Sequence, residues 1–218
     1  MRILNPYRLA FTRLPADWHG GGYKHTSLRS DVSDQYLSLY REVHNKGGKV
    51  TSSGGVRKLS STAKFGRIQK SLHYIGRAFD LYVYSGGWRP GDDAYVLQLD
   101  PHTRLWTVWA RSYNGTQEEK ELTIKTFKRK KDGKIELRDS VIRGRFFNFT
   151  ELAKSHGFTP IPAGKSFIKD GYKYANAEWW HFEDRRNLLT FKQELLRTYK
   201  IEEIQEHYKY QDVLSERF

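Results

Sequence analysis

The chain has 218 residues, with 38 lysines and arginines against 25 aspartates and glutamates, a formal net charge of +13. That length favours one sizeable core over two full domains. Its 6 Trp, 14 Tyr and 12 Phe supply the buried area that an apolar content of 38% would leave short, which argues against a disordered chain. There is no cysteine, so disulfides and thiolate-bound metal are excluded, and any metal site must use imidazole nitrogen and carboxylate oxygen.

No stretch approaches the roughly 20 apolar residues of a membrane span, so none is expected. The N-terminal "MRILNPYRLAFTRLPADW" is broken by Pro6, Arg8 and Arg13 and does not read as a signal peptide, which leaves the place of action open. The positive balance admits a polyanion partner such as nucleic acid, an anionic wall polymer or a membrane surface, without choosing among them. The densest basic run, "KTFKRKKDGK" at 125–134, also reads as the solvated tip of a hairpin.

In chain order, the first thirty residues read as irregular, with a loop at "GGGY" (20–23). Tyr36, Leu37, Leu39, Tyr40 and Val43 then fall at helical spacing, behind Asp31 or Ser33 as a cap and before Gly47 and Gly48 as a stop. "KVTSS" predicts a short strand entering a polar, Gly-rich connection. Alternation in "RAFDLYVY" predicts a strand over 77–84, and "RLWTVWARSY" another over 104–113. "ELTIKTF" and "KIELRDSVI" flank a turn with Asp132 and Gly133 and predict a hairpin. "NFTELAKSHGF" predicts a helix capped by Asn148 or Thr150 and stopped at Gly157, and the chain closes with helix from about 184 to 210. This order predicts an α+β domain over 1–218, an antiparallel sheet with flanking helices.

Two short stretches carry chemistry. In "SLHYIGRAFD", His73 and Asp80 are separated by about 23 Å if the chain is extended and by about 10 Å if it is helical. They can share one ion only if the chain folds back, and Gly76 lies between them where a turn costs least. In "EWWHFED", Glu178 and His181 sit among Trp179, Trp180 and Phe182, which draw them toward a core where a charge must find partners. Taken together, His73, Asp80, His181 and a spare carboxylate make the parts list of a catalytic zinc: three ligands, an open position and a base. His19, His25, His44, His102, His156 and His207 have no such setting and read as surface or packing residues.

The first stretch fits Ser-x-His-x-x-Gly-x-Ala-x-Asp through Ser71, His73, Gly76, Ala78 and Asp80, and "EWWHF" fits Glu-x-x-His. In both, the chain resembles the zinc D,D-carboxypeptidase and D-Ala-D-Ala dipeptidase family, which includes phage L-alanyl-D-glutamate endolysins and shares its fold with the signalling domain of Hedgehog. "VTSSGGVR" resembles the family's strand and Gly-Tyr-Arg type turn, with Val56 in place of Tyr, and "ELAKSHGF" looks like the helix that precedes the second motif. The resemblance covers roughly residues 32–190, leaving outside it a basic hairpin insertion at about 120–142 and the helical extension from about 184.

The resemblance implies that His73, Asp80 and His181 bind Zn2+, that Glu178 is the general base, and that Arg57 steadies the substrate carbonyl or carboxylate. Ser71 and Trp179 are implied at the substrate site, Ser71 either touching substrate or holding the His73 loop, and Trp179 either as pocket wall or as core. The expected activity is hydrolysis of an amide in peptidoglycan stem peptides or D-amino-acid dipeptides by a monomeric enzyme. A second reading keeps the fold as an inactive cell-wall or ligand-binding module, which has no need for Glu178. A third, a nucleic-acid binder, rests on charge and aromatic content alone, and no specific nucleic-acid partner is expected.

Overall fold

The computed structural model describes residues 8–59, 70–170 and 174–208. The chain is mixed α/β, with antiparallel sheets and a few short helices. The N-terminal segment is not irregular: β1 (Phe11–Pro15) and β2 (His25–Arg29) form an antiparallel hairpin. Thr26 and Leu28 alternate inward on β2, a pattern too short to stand out in the sequence. Helix α1 (Ser33–Asn45) buries Tyr36, Leu39 and Val43 on one face, as their spacing predicts. Neither expected cap serves it, because Asp31 binds the Arg29 guanidinium at 2.7 and 2.9 Å and the Ser33 hydroxyl donates to the Arg29 carbonyl.

The sheet that matters for the site has three strands. β3 (Ala78–Asp80) pairs with β9 (His181–Glu183), and β9 pairs with β8 (Thr159–Pro160). The predicted strand over 77–84 forms a ladder at only three residues. Beyond Asp80 the backbone donors of Tyr82 and Val83 go to the hydroxyls of Thr51 and Ser53, so the segment continues without a partner strand. "KVTSS" likewise forms only an isolated bridge, Thr51 with Asp17, and Gly54 just after it bridges Asp80.

The remaining strands, β4 (Tyr95–Leu99), β5 (Trp106–Arg111), β6 (Glu119–Arg129) and β7 (Ile135–Asn148), close a small antiparallel barrel in the order β4-β5-β7-β6. The predicted hairpin is present, with Gly133 at φ 80° in its turn. It is larger than an insertion over 120–142, because β7 runs on to pair with β5 through Phe146, Phe147 and Asn148. Its tip residues Lys128, Arg129, Lys130, Lys131 and Lys134 are exposed. Helix α2 (Phe149–Ser155) follows at once, capped by the Asn148 side chain, which accepts from the Glu151 amide at 3.0 Å. A further short helix, α3 (Lys165–Asp170), lies between β8 and the second motif.

The C-terminal segment is not one helix from residue 184. It carries α4 (Phe191–Leu196), opened by a Thr190–Gln193 capping box, and α5 (Ile201–His207). Residues ahead of α4 are held by ion pairs instead: Asp184 binds Arg77 at 3.0 Å and Arg186 at 2.9 Å. A fully buried pair, Arg29 to Glu194 at 2.7 Å, ties α4 to β2.

Strand alternation sets the two faces of the β3–β9 pair. Phe79 and Phe182 stack on the core side, ring centres 5.7 Å apart, and Phe79 meets Tyr36 and Phe158 edge-on at 5.2 and 5.1 Å. Each such buried ring contributes roughly 1.5–3 kcal/mol. That packing turns Asp80 and His181 to the opposite side.

Candidate metal centre

Asp80 and His181 are direct cross-strand partners, so their side chains leave the same face of the ladder side by side. His73 comes from the turn before β3. The chain doubles back there: the Arg77 amide donates to Leu72 O at 2.9 Å and the Gly76 amide to His73 O at 3.2 Å. Gly76 has φ 71°, and a Cβ on it would lie 2.7 Å from the Phe11 ring and 2.8 Å from the Arg29 amide, so only glycine fits. The fold-back that the His73–Asp80 spacing requires is therefore built around Gly76.

His73, Asp80 and His181 form a buried group able to hold a metal ion. His73 Nε2 and His181 Nδ1 are 3.1 Å apart. Asp80 Oδ1 lies 3.2 Å from the first and 3.0 Å from the second. Three ligands on a tetrahedral zinc at about 2.0–2.1 Å stand roughly 3.3 Å from one another, so the triangle has the size that such an ion demands.

The outward ring nitrogens fix what the inward ones offer. His73 Nδ1 donates to the Gly55 carbonyl at 2.6 Å, and His181 Nε2 to the Glu183 carboxylate at 2.9 Å. When neutral, as a metal ligand must be, each ring then presents a lone pair inward, toward a carboxylate oxygen. Three electron-rich atoms this close repel unless a cation or a proton sits among them. Gly55 is required for this contact, because a Cβ there would meet Ser27 O at 2.1 Å.

The titration behaviour reports the same crowding. Burial lowers the His73 pKa, against an opposing pull from Asp80. Burial alone would raise Asp80, but His73 and His181 hold it well below the usual carboxylate range. For His181, burial disfavours the charge, yet hydrogen bonds to Asp80 and Glu183 outweigh it and push the pKa up to about 9.

Glu178 is half-buried beside this group, and burial raises its pKa. Its carboxylate has no hydrogen bond or ion pair among the described residues, and its φ of 57° is left-handed for a residue with a Cβ. Such a conformation costs of order 1–2 kcal/mol. It persists because Ala177 and Trp179 on either side are fully buried and the His181 amide closes the turn on Glu178 O at 3.1 Å. Arg57 is partly exposed and donates from Nη2 to the outer oxygen of Asp80 at 2.8 Å, with no other side-chain hydrogen bond among the described residues.

Ser71 Oγ accepts from the His73 amide at 3.4 Å, which supports the turn. Trp179 does not wall a pocket. It is fully buried, its Nε1 donates to Tyr174 Oη at 3.1 Å, and it packs on Tyr95, so it belongs to the core. Of the other histidines, His44 pairs with Asp17 and His156 with Glu42, each at 2.9 Å, both away from the centre.

Sequence reasoning missed Glu183. The signal was there: on a strand, residues two apart share a face, so the "HFE" of 181–183 places Glu183 beside His181. No helix among the described residues is long and apolar enough to cross a membrane. Comparison of the chain with protein-family models, with curated proteins and with solved structures finds no match in any of the three, so the functional reading rests on the geometry of this centre and on its two motifs.

Proposed function

We propose that the chain is a zinc-dependent peptidase of the D,D-carboxypeptidase and dipeptidase type, with a Hedgehog-like arrangement around the metal, acting on an amide in peptidoglycan stem peptides or D-amino-acid dipeptides. The observation that carries this reading is the buried triangle of His73 Nε2, Asp80 Oδ1 and His181 Nδ1, with Glu178 beside it in left-handed backbone and without a hydrogen bond or ion pair among the described residues. Two imidazoles and one carboxylate suit zinc, and three protein ligands are the number that leaves room for chemistry. The motif around His73 and Asp80 and the Glu178–His181 motif support the choice of family.

A zinc ion held there supplies Lewis acidity, polarising the scissile carbonyl and bringing the pKa of water toward about 7. Glu178 takes the proton from the attacking water as the new C–O bond forms. It then passes that proton to the amide nitrogen as the C–N bond breaks. The donors of Arg57 that Asp80 does not take stabilise the charge that develops on the carbonyl oxygen or bind a substrate carboxylate. Asp80, His73 and His181 stay fixed, held from behind by Arg57, Gly55 and Glu183 respectively.

A module that only bound ligand would gain nothing from a carboxylate kept in left-handed backbone beside the metal ligands. The test is incubation of zinc-loaded protein with purified peptidoglycan and, separately, with D-Ala-D-Ala, followed by mass spectrometry of new termini. New amine and carboxyl ends that vanish with chelator support the reading. Intact substrates in both arms, with zinc bound, refute it in favour of a binding module.

A further inference from the structure

Both histidines of the centre need a partner on the nitrogen that faces away from it, and the two partners differ in kind. His73 is backed by a main-chain carbonyl, that of Gly55. His181 is backed by a side chain, Glu183, which lies on the same face of β9 and is 4% exposed. Across the ladder from Glu183 stands Ala78. That small residue leaves the space beside the His181 ring to the glutamate. The second Glu183 oxygen is bound by Arg185 Nε, so the carboxylate has a charged partner on its outer side.

We propose that Glu183 is a positioning residue for the metal centre, one that selects Nδ1 of His181 as the ligand atom and holds that ring at the angle the triangle requires. This rests on the zinc reading above. An imidazole on a strand can present either nitrogen by turning about its side-chain bonds. A carboxylate 2.9 Å from Nε2 removes that freedom, because turning the ring over would put a carbon against the negative oxygen in place of the N–H donor, and moving the proton to Nδ1 would set a lone pair against it. The negative charge also makes Nδ1 a stronger electron donor. Glu183, His181 and Asp80 thus form a line of carboxylate, imidazole and carboxylate, with contacts of 2.9 and 3.0 Å. Arg185 fixes the outer end of that line, and Arg57 the outer oxygen of Asp80.

Glu183 touches no reacting atom in this scheme, so its loss is read first in the metal. Zinc dissociation constants are measured by chelator competition on wild-type protein and on Glu183→Gln, Glu183→Ala and Glu183→Asp. Gln and Ala are expected to weaken zinc binding about 10-fold to 100-fold, the range found for partners of metal-bound histidines. Asp, with the charge kept on a shorter arm, is expected to fall between them and wild type. Visible absorption of the cobalt-substituted proteins supplies a signature that a purely structural role would not move: the ligand-field bands shift in the Gln variant, which keeps the volume of the side chain.

Wild-type protein that binds neither metal overturns the metal reading, and the Glu183 role with it. Wild-type protein that binds zinc tightly, alongside a Gln variant with the same affinity and the same cobalt spectrum, overturns the Glu183 role alone.

Discussion

Asp80 Oδ1 and His181 Nδ1 lie 3.0 Å apart across the β3–β9 ladder, although 101 residues separate them in sequence. The strand pairing that brings them together is itself held by the Phe79–Phe182 stack on the other face. Packing on one side of two short strands thus sets the geometry of chemistry on the other.

Metal removal gives the first expectation. Wild-type protein should carry about one zinc per chain, and dialysis against chelator should abolish hydrolysis and lower the thermal midpoint, since a ligand that binds only the folded state stabilises it. Elemental analysis with parallel calorimetry checks both. Metal-free protein with full activity would remove the site from the mechanism.

Glu178→Gln should retain zinc and lose turnover by roughly 10²- to 10⁴-fold, the range for a positioned general base. Because burial raises the Glu178 pKa and a base must be ionised to act, wild-type activity should fall on the acid side, starting above the ordinary glutamate range. Steady-state rates across pH, with zinc content measured on the same samples, decide this. A variant with wild-type kcat would take Glu178 out of its role.

Arg57→Ala should reduce kcat/KM by about 10²- to 10³-fold, as for loss of one donor to a developing oxyanion. Folding should change little, because the side chain is partly exposed. The variant also frees the outer oxygen of Asp80, so zinc affinity should be measured beside the kinetics. Unaltered kinetics would show that the donors left free by Asp80 do not meet substrate.

The Arg29–Glu194 pair predicts a stability effect remote from the centre. Both side chains are fully buried, so Glu194→Ala leaves the buried guanidinium with Asp31 but without its buried carboxylate partner and should cost about 3–5 kcal/mol in denaturant unfolding. A loss below about 1 kcal/mol would mean that Asp31 alone neutralises Arg29.

Asp184 predicts a dependence on pH. Burial would raise its pKa, but hydrogen bonds from Arg186 and the charge of Arg77 leave it lowered. A carboxylate with a depressed folded pKa contributes stability that is fully present above its unfolded value, about 3.9. That stability is lost as the pH falls through the folded value. Asp184→Asn should therefore be less stable at pH 7 and show a shallower loss of stability below about pH 4. Parallel acid titrations followed by circular dichroism check the slope, and identical slopes would assign acid unfolding to other carboxylates.

Much of this protein could be read from its residues. Spacing predicted α1 through Tyr36, Leu39 and Val43, the β6–β7 hairpin through Asp132 and Gly133, and the α2 cap through Asn148. Those signals are local, carried by side chains a few residues apart. The β1–β2 hairpin, strand β4 and two-residue strand β8 were not legible, because five residues or fewer leave too little alternation to tell a paired segment from a loop. The C-terminal region misled for a related reason: charged residues at 183–186 look like a helix surface, yet in the fold they pair with distant groups.

For the centre, the sequence by itself determined the chemical types: no thiol, two histidines and an aspartate in two motifs, a spare glutamate, and a glycine where the chain had to reverse. Only the tertiary structure decided that His73 offers Nε2 and His181 offers Nδ1, that Trp179 is core, and that Glu183 stands behind His181. The reason is one of range. Residue identity fixes which atoms can bind a cation, but which nitrogen turns inward depends on acceptors brought up by strand pairing and close backbone approach, contacts between segments that share no local pattern.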